Sequence, residues 1–258
     1  MNITIIGTGK VATILAQKLF SATHKIVGIV GRNKNATQNL ATQCNALALN
    51  MFDEIPNETD LILIAVSDTG IMEIANKLSH QNAIVVHTAG AISKDLLINC
   101  SENFGILYPL QSITIHTKSN VDIPFIIDGN NDFTIKSLTK LANTISANVA
   151  FGNDDYRSKL HVAAVLVNNF TNYIYALAED FCATENVDFK LLQPIIIETA
   201  NRLQYQSPKN VFTGPAIRKD EVTIEKHLDI LNHHPKLKPL YGLLSNSLQE
   251  YYQNLSPQ

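Results

Sequence analysis

The chain has 258 residues, 45% of them apolar, with 20 Lys and Arg against 23 Asp and Glu for a net charge of -3. A chain of this length buries a substantial core, as one large or two ordinary domains. Its charge balance supplies no positive field for nucleic acid or an anionic membrane, and its longest clean apolar run, Leu61 to Val66, falls far short of the ~18 residues that span a bilayer.

The first run, Ile3 to Ile6, follows Met1 almost at once, without the basic and apolar regions of a secretory leader, so a cytoplasmic protein is expected. Further β-branched runs come at Lys25 to Val30, Leu61 to Val66, Ala83 to His87, Phe104 to Leu107 and Pro124 to Ile127. Between them lie helical patterns, and this alternation predicts a mostly parallel sheet with crossover helices over residues 1–152. LILIAV and AIVVH are apolar at successive positions, as in strands covered on both faces.

After Gly152 the strand-like runs stop, and an all-helical domain is expected over 153–258. Asp155 to Thr184 has neither Gly nor Pro and reads as one long helix. Helical patterns follow at 188–204, 222–231 and 237–253, with Pro194 set to kink or break the first. Cys44, Cys100 and Cys182 are far apart and form no Cys-x-x-Cys pair, so buried thiols are expected, with no disulfide and no metal site.

Chemistry starts at GTGKVA, the residues Gly7, Thr8, Gly9, Lys10, Val11 and Ala12. It is either the pyrophosphate turn of a dinucleotide fold or a glycine turn of some other α/β fold. A strand runs into it and a helix with Val11, Leu15 and Leu19 on one face runs out, the context a dinucleotide site needs. Gly7 would make the sharp turn, Gly9 would leave room for the pyrophosphate, and the helix N-terminus would offer free N–H groups to it. NAD sites usually place an acid at the end of the second strand, but here Gly31, Arg32 and Asn33 follow it. No carboxylate there repels a 2'-phosphate and Arg32 can pair with one, so NADP(H) is favoured over NAD(H), unless Arg32 is simply a solvated loop residue.

Two more segments lie at carboxyl ends of predicted strands, where open α/β sheets bind ligands: Val66, Ser67, Asp68, Thr69 and Gly70, and His87, Thr88, Ala89 and Gly90. Val66, Ser67, Asp68 and Thr88 are candidate cofactor contacts; the alternative is plain connection, with Asp68 or Thr69 as a helix cap. On the long helix Arg157, His161, Asn168, Asn172 and Glu179 are polar among Ala, Val and Leu. At about 100° per residue Asn168 and Asn172 lie ~20° either side of His161, and Glu179 eclipses it. That stripe faces solvent or lines a cleft. Beyond it, TGPAIRKD (213–220) is a loop in which Asp220 caps the next helix or Arg218 holds an anion.

GTGKVA, SDTGI, HTAG, LYPLQ, LHVAAVLVNNFTN, TGPAIRKD and TIEKHL span essentially the whole chain. Together they resemble the bacterial family of Rossmann-like NADP oxidoreductases with a helical C-terminal domain of unknown function. That family is similar to pyrroline-5-carboxylate reductase, 6-phosphogluconate dehydrogenase and the β-hydroxyacid dehydrogenases. The resemblance implies a doubly wound Rossmann-type domain followed by a helical domain that forms a homodimer, with a small-molecule substrate between the two domains. Hydroxyacid dehydrogenases carry a Lys on the interdomain helix with an Asn four residues later; here Lys159 is followed at that spacing by Ala163.

These residues point to hydride transfer from NADPH to a C=O or C=N carbon, with His161 as proton donor. Asn168, Asn169 and Arg218 would orient a small anionic substrate, with Asp220 holding Arg218. The missing dyad keeps a second reading open, a redox sensor that binds NADP(H) without turnover. A third is hydride exchange with a deazaflavin coenzyme.

Overall fold

A computed structural model describes residues 1–50 and 55–255. The chain divides into two compact units, Met1–Asn168 and Asn169–Gln258. The first opens with β1 (Asn2–Ile6), α1 (Lys10–Ser21), β2 (Lys25–Val30), α2 (Lys34–Gln43), β3 (Leu47–Leu49), β4 (Leu61–Ile64), α3 (Asp68–Ala75) and β5 (Ile84–His87). It continues through β6 (Phe104–Pro109), β7 (Phe125–Gly129), α4 (Asp132–Ala142), β8 (Val149–Phe151) and α5 (Asp154–Ala164).

The strands form one sheet in the order β3-β2-β1-β4-β5-β6-β7-β8, parallel throughout except where β7 runs against β6. Alternate side chains of each strand enter different cores. Ile3, Ile5, Leu61, Leu63 and Val86 pack with α1 and α4, whereas Ile6, Ile62, Ile64 and Val85 pack with α3. Burial on both faces is why LILIAV is apolar at every position. The short edge strands β3 and β8 carry no such run, and the sequence pattern did not reveal them.

Order along the sheet reverses between β1 and β4, because β2 lies on one side of β1 and β4 on the other. Helices connected to these strands leave in opposite directions there, and a crevice opens beyond the strands' carboxyl ends. GTGKVA follows β1 and Val66-Ser67 follows β4, so both expected segments border that crevice.

The predicted long helix is helical throughout but not uniform. Residues Val165–Phe170 form a π-helical stretch between α5 and α6 (Thr171–Thr184). A π turn holds more residues than an α turn, so the 100° wheel fails across it and the stripe from His161 to Glu179 is not one α-helical face.

The second unit contains α6, α7 (Gln193–Arg202), α8 (Pro215–Arg218), α9 (Glu221–Ile230) and α10 (Leu237–Leu255). Pro194 sits in the first turn of α7, where its missing N–H costs nothing, so it marks a helix start after the turn Phe189–Leu192. Phe181 packs on His234 with ring centroids 4.9 Å apart, and the His227 ring bonds the Tyr241 hydroxyl at 2.7 Å. Cys44, Cys100 and Cys182 are all free and buried. Among the described residues no helix is long and apolar enough to cross a membrane, and no cluster of His, Cys, Asp and Glu could hold a metal ion.

Candidate dinucleotide site and polar cluster

A groove of about 550 Å³ lies over the crevice. Of the residues singled out as cofactor contacts, Gly7, Thr8, Gly9, Lys10, Val11, Arg32, Asn33, Val66 and Ser67 line it; among the described residues Asp68 and Thr88 do not. Sequence reasoning missed Glu73, on α3, and Ile113, on the loop after β6. Neither lies at a strand end, and no local signal would have found them.

The two glycines of the turn have different constraints. Gly7 has φ +127°, and a Cβ there would meet the Ala65 carbonyl oxygen at 2.2 Å, so both backbone angle and packing exclude a side chain. Among the described residues a Cβ on Gly9 would meet nothing within 4 Å. The protein has no packing reason for glycine at 9; open space there fits a phosphate close to the backbone.

Gly9 is also the N-cap of α1, and no side chain caps that end. The first N–H groups of the helix are therefore left for a ligand, with the positive end of the helix dipole behind them. By contrast α2 is capped by Asn33, whose Oδ1 accepts from the Ala36 N–H at 3.0 Å. At the adjoining loop the N-cap is Ser67, so the cap expected at Asp68 or Thr69 lies one or two residues earlier. Its side chain makes no capping hydrogen bond, and this N-terminus faces the groove too.

Arg32, exposed at the end of β2, has no hydrogen bond or ion pair among the described residues. Among the described residues Glu73 is the one carboxylate in the lining, and Lys77 holds it at 2.6 Å and keeps its carboxyl below the usual range. Lys77 meets most of the Glu73 charge and Arg32 adds a smaller share, so among the described residues the Arg32 guanidinium keeps its donors for a 2'-phosphate.

A second polar group lies elsewhere in the first unit. Arg157, fully buried, donates to Asp154 Oδ1 at 2.7 Å and to the Ile92 carbonyl at 2.8 Å, and stands 3.5 Å from Asp128 Oδ2. Lys94 reaches the same Asp128 oxygen at 2.9 Å. Buried charges persist only when paired and hydrogen-bonded in this way. His87, also fully buried, accepts from the Ala89 N–H at Nδ1, which leaves its Nε2 proton toward the Ser93 carbonyl at 3.3 Å. Burial pulls its pKa down to about 4.

One turn beyond Arg157, His161 is half-buried, and its Nδ1 lies 3.1 Å from the Tyr108 hydroxyl at the end of β6. Arg157 and His161 therefore face the sheet, unlike exposed Asn168, Asn172 and Glu179. Asn168 and Asn169 are both in the π-helical stretch, a distortion often found at functional sites.

In the second unit, TGPAIRKD is not a loop throughout. Pro215–Arg218 forms the short α8, between Gly214 at φ 105° and Lys219 in the left-handed region at φ 56°. Arg218 is exposed. Asp220 makes no ion pair with Arg218 among the described residues. It caps α9, accepting from the Thr223 N–H at 3.1 Å and its hydroxyl at 2.8 Å. These bonds hold its carboxyl below the usual range.

Residues 1–116 match a Rossmann-like domain, and 123–248 match a domain of unknown function, DUF2520. A crystal structure of a "putative NADP oxidoreductase" from Bacteroides fragilis is similar at 33% identity, with a TM-score of 0.86 over 96% of this chain and 98% of that one. The chain belongs to this oxidoreductase family. Two more distant structures share the family's fold. Pyrroline-5-carboxylate reductase from Streptococcus pyogenes aligns at 15% identity and TM-score 0.64, over 97% of this chain and 98% of that one. A reductive aminase from Aspergillus terreus, in complex with NADPH and ethyl-5-oxohexanoate, aligns at 15% and 0.68, over 96% and 94%. No curated protein matches this chain.

Proposed function

We propose that this oxidoreductase uses NADPH to reduce a C=O or C=N group of a small anionic substrate. The observation that carries the reading is the groove at the β1–β4 switch point, where a helix N-terminus without a side-chain cap lies beneath Gly9 and exposed Arg32 stands at the end of β2. Gly7, Gly9 and the first N–H groups of α1 would hold the pyrophosphate, with Thr8, Lys10 and Val11 beside it. Arg32 would pair with the 2'-phosphate. The bound cofactor supplies hydride; the protein supplies orientation and a proton.

His161 is the proton donor in this reading, and Asn168, Asn169 and Arg218 orient the substrate. A ketone needs that proton as the alkoxide forms, whereas an iminium already carries its charge. Asp220, bound to Thr223, acts in this reading by fixing the start of α9 next to Arg218. The domain division that goes with it is 1–152 for the dinucleotide and 153–258 for substrate and dimerisation. Association through the helical part is supported by α7, which buries none of its residues in the single chain although Ile195 and Ile197 stand about 60% exposed.

Loss of nicotinamide absorbance on mixing NADPH with a panel of small oxo acids and cyclic imines tests the reading. Turnover that falls at least tenfold in His161→Ala is the result expected. NADPH binding without oxidation by any of the panel would favour the sensor that the absent Lys-Asn dyad also suggests.

A further inference from the structure

We infer that Tyr108 is a positioning residue, which fixes the His161 imidazole with its proton on Nε2, the nitrogen left to face a substrate. The inference rests on the reading of His161 as proton donor. Tyr108 Oη and His161 Nδ1 are 3.1 Å apart, and the two rings meet edge to face with centroids 6.3 Å apart.

Which atom donates follows from what else the hydroxyl can reach. Tyr108 is 8% exposed and has no other hydrogen-bond partner among the described residues. If Nδ1 carried the proton and gave it to the phenol oxygen, the phenol's own hydrogen would be buried without an acceptor, a state folded proteins avoid. If the phenol donates, both groups are satisfied and the neutral ring keeps its single proton on Nε2. That nitrogen has no partner among the described residues, so its N–H points outward; as its proton passes to a substrate oxygen, the phenol's proton moves onto Nδ1, which keeps the ring neutral and leaves Tyr108 as phenolate.

The surroundings hold the phenol in place. A Cβ on Gly90, in the HTAG segment after β5, would lie 2.8 Å from Tyr108 Cζ and 3.1 Å from its oxygen. Glycine at 90 is thus what admits the ring. Ile106, Ile126 and Leu160 pack around Tyr108, and burial pushes the phenol's pKa up and keeps it a donor.

The test is a two-bond proton–nitrogen NMR spectrum of the full chain labelled with 15N-histidine, with His161 assigned by its disappearance in His161→Gln. The parent should show His161 protonated at Nε2, with its Nδ1 resonance held upfield by the phenol's hydrogen bond. In Tyr108→Phe that resonance should move downfield, toward the position of an unbonded ring nitrogen. Gly90→Ala, which displaces the ring without removing the hydroxyl, should move it the same way. A proton on Nδ1 in the parent, or an Nδ1 resonance unmoved by Tyr108→Phe, overturns the inference. NADPH titrated into the same parent and Tyr108→Phe samples reports on the cofactor separately. Equal binding in both, with an unmoved Nδ1, would leave the cofactor reading standing and remove only the role of Tyr108.

Discussion

Replacing Gly7 and Gly9 by alanine, one at a time, separates folding from cofactor binding within a single turn. At Gly7 the added methyl must adopt φ +127° and would lie 2.2 Å from the Ala65 carbonyl oxygen. Backbone strain of ~1–3 kcal/mol and overpacking of ~1–3 kcal/mol together predict a loss of roughly 2–6 kcal/mol. For a domain of this size that is a fall in Tm of roughly 5–20 °C. At Gly9, φ -76° suits alanine and no atom of the described residues lies within 4 Å, so the cost is a weaker N-cap at about 1 kcal/mol or less. The same methyl points into space assigned to the pyrophosphate and should raise the NADPH Kd at least tenfold, which is ~1.4 kcal/mol. Thermal unfolding without ligand and calorimetric titration with NADPH measure the two effects. Parent-like NADPH binding by Gly9→Ala, or equal Tm losses for both variants, would refute the reasoning.

Arg32→Asp should reverse the preference for NADPH over NADH, by about 10- to 100-fold for a charge-assisted pair worth ~1.5–3 kcal/mol; an unchanged ratio of Kd values removes the 2'-phosphate role. Arg157→Met should lower the free energy of unfolding in urea by ~1–3 kcal/mol, because it removes the guanidinium from Asp154 and leaves Asp128 with Lys94 alone; a change under ~0.5 kcal/mol would show that the buried network contributes little. His87 has a folded pKa of about 4 against 6.5 unfolded, so the unfolded chain binds the extra proton and stability falls as pH drops through that window. This displacement is worth ~3 kcal/mol, and the urea stability of the parent relative to His87→Gln should decline by that amount from pH 7 to pH 4. A constant difference would contradict it. Light scattering at low concentration should give the mass of a dimer, and a stable monomer would remove the proposed role of the α7 face.

The sheet's centre was legible because strands buried on both faces must be apolar at successive positions, as Leu61–Ile64 and Ile84–His87 are. The edges were not, since three-residue strands such as Leu47–Leu49 keep only one neighbour and leave no such run. GTGKVA and Arg32 were readable because a turn, a close approach and a 2'-phosphate each restrict residue type locally. Glu73 and Ile113 reach the groove only through the fold. The same holds for Tyr108 and His161, 53 residues apart, and for Arg157, whose polar character gave no sign of its burial. The π-helical stretch defeated the wheel, because counting at 100° assumes the very hydrogen-bond pattern that is interrupted at Val165–Phe170.

A crystal structure of the chain grown with NADPH tests the central claim most directly. The account predicts the pyrophosphate over Gly9 and the N–H groups that open α1, with the 2'-phosphate against Arg32. A nucleotide bound with no phosphate at Gly9, or bound outside the groove, would contradict it.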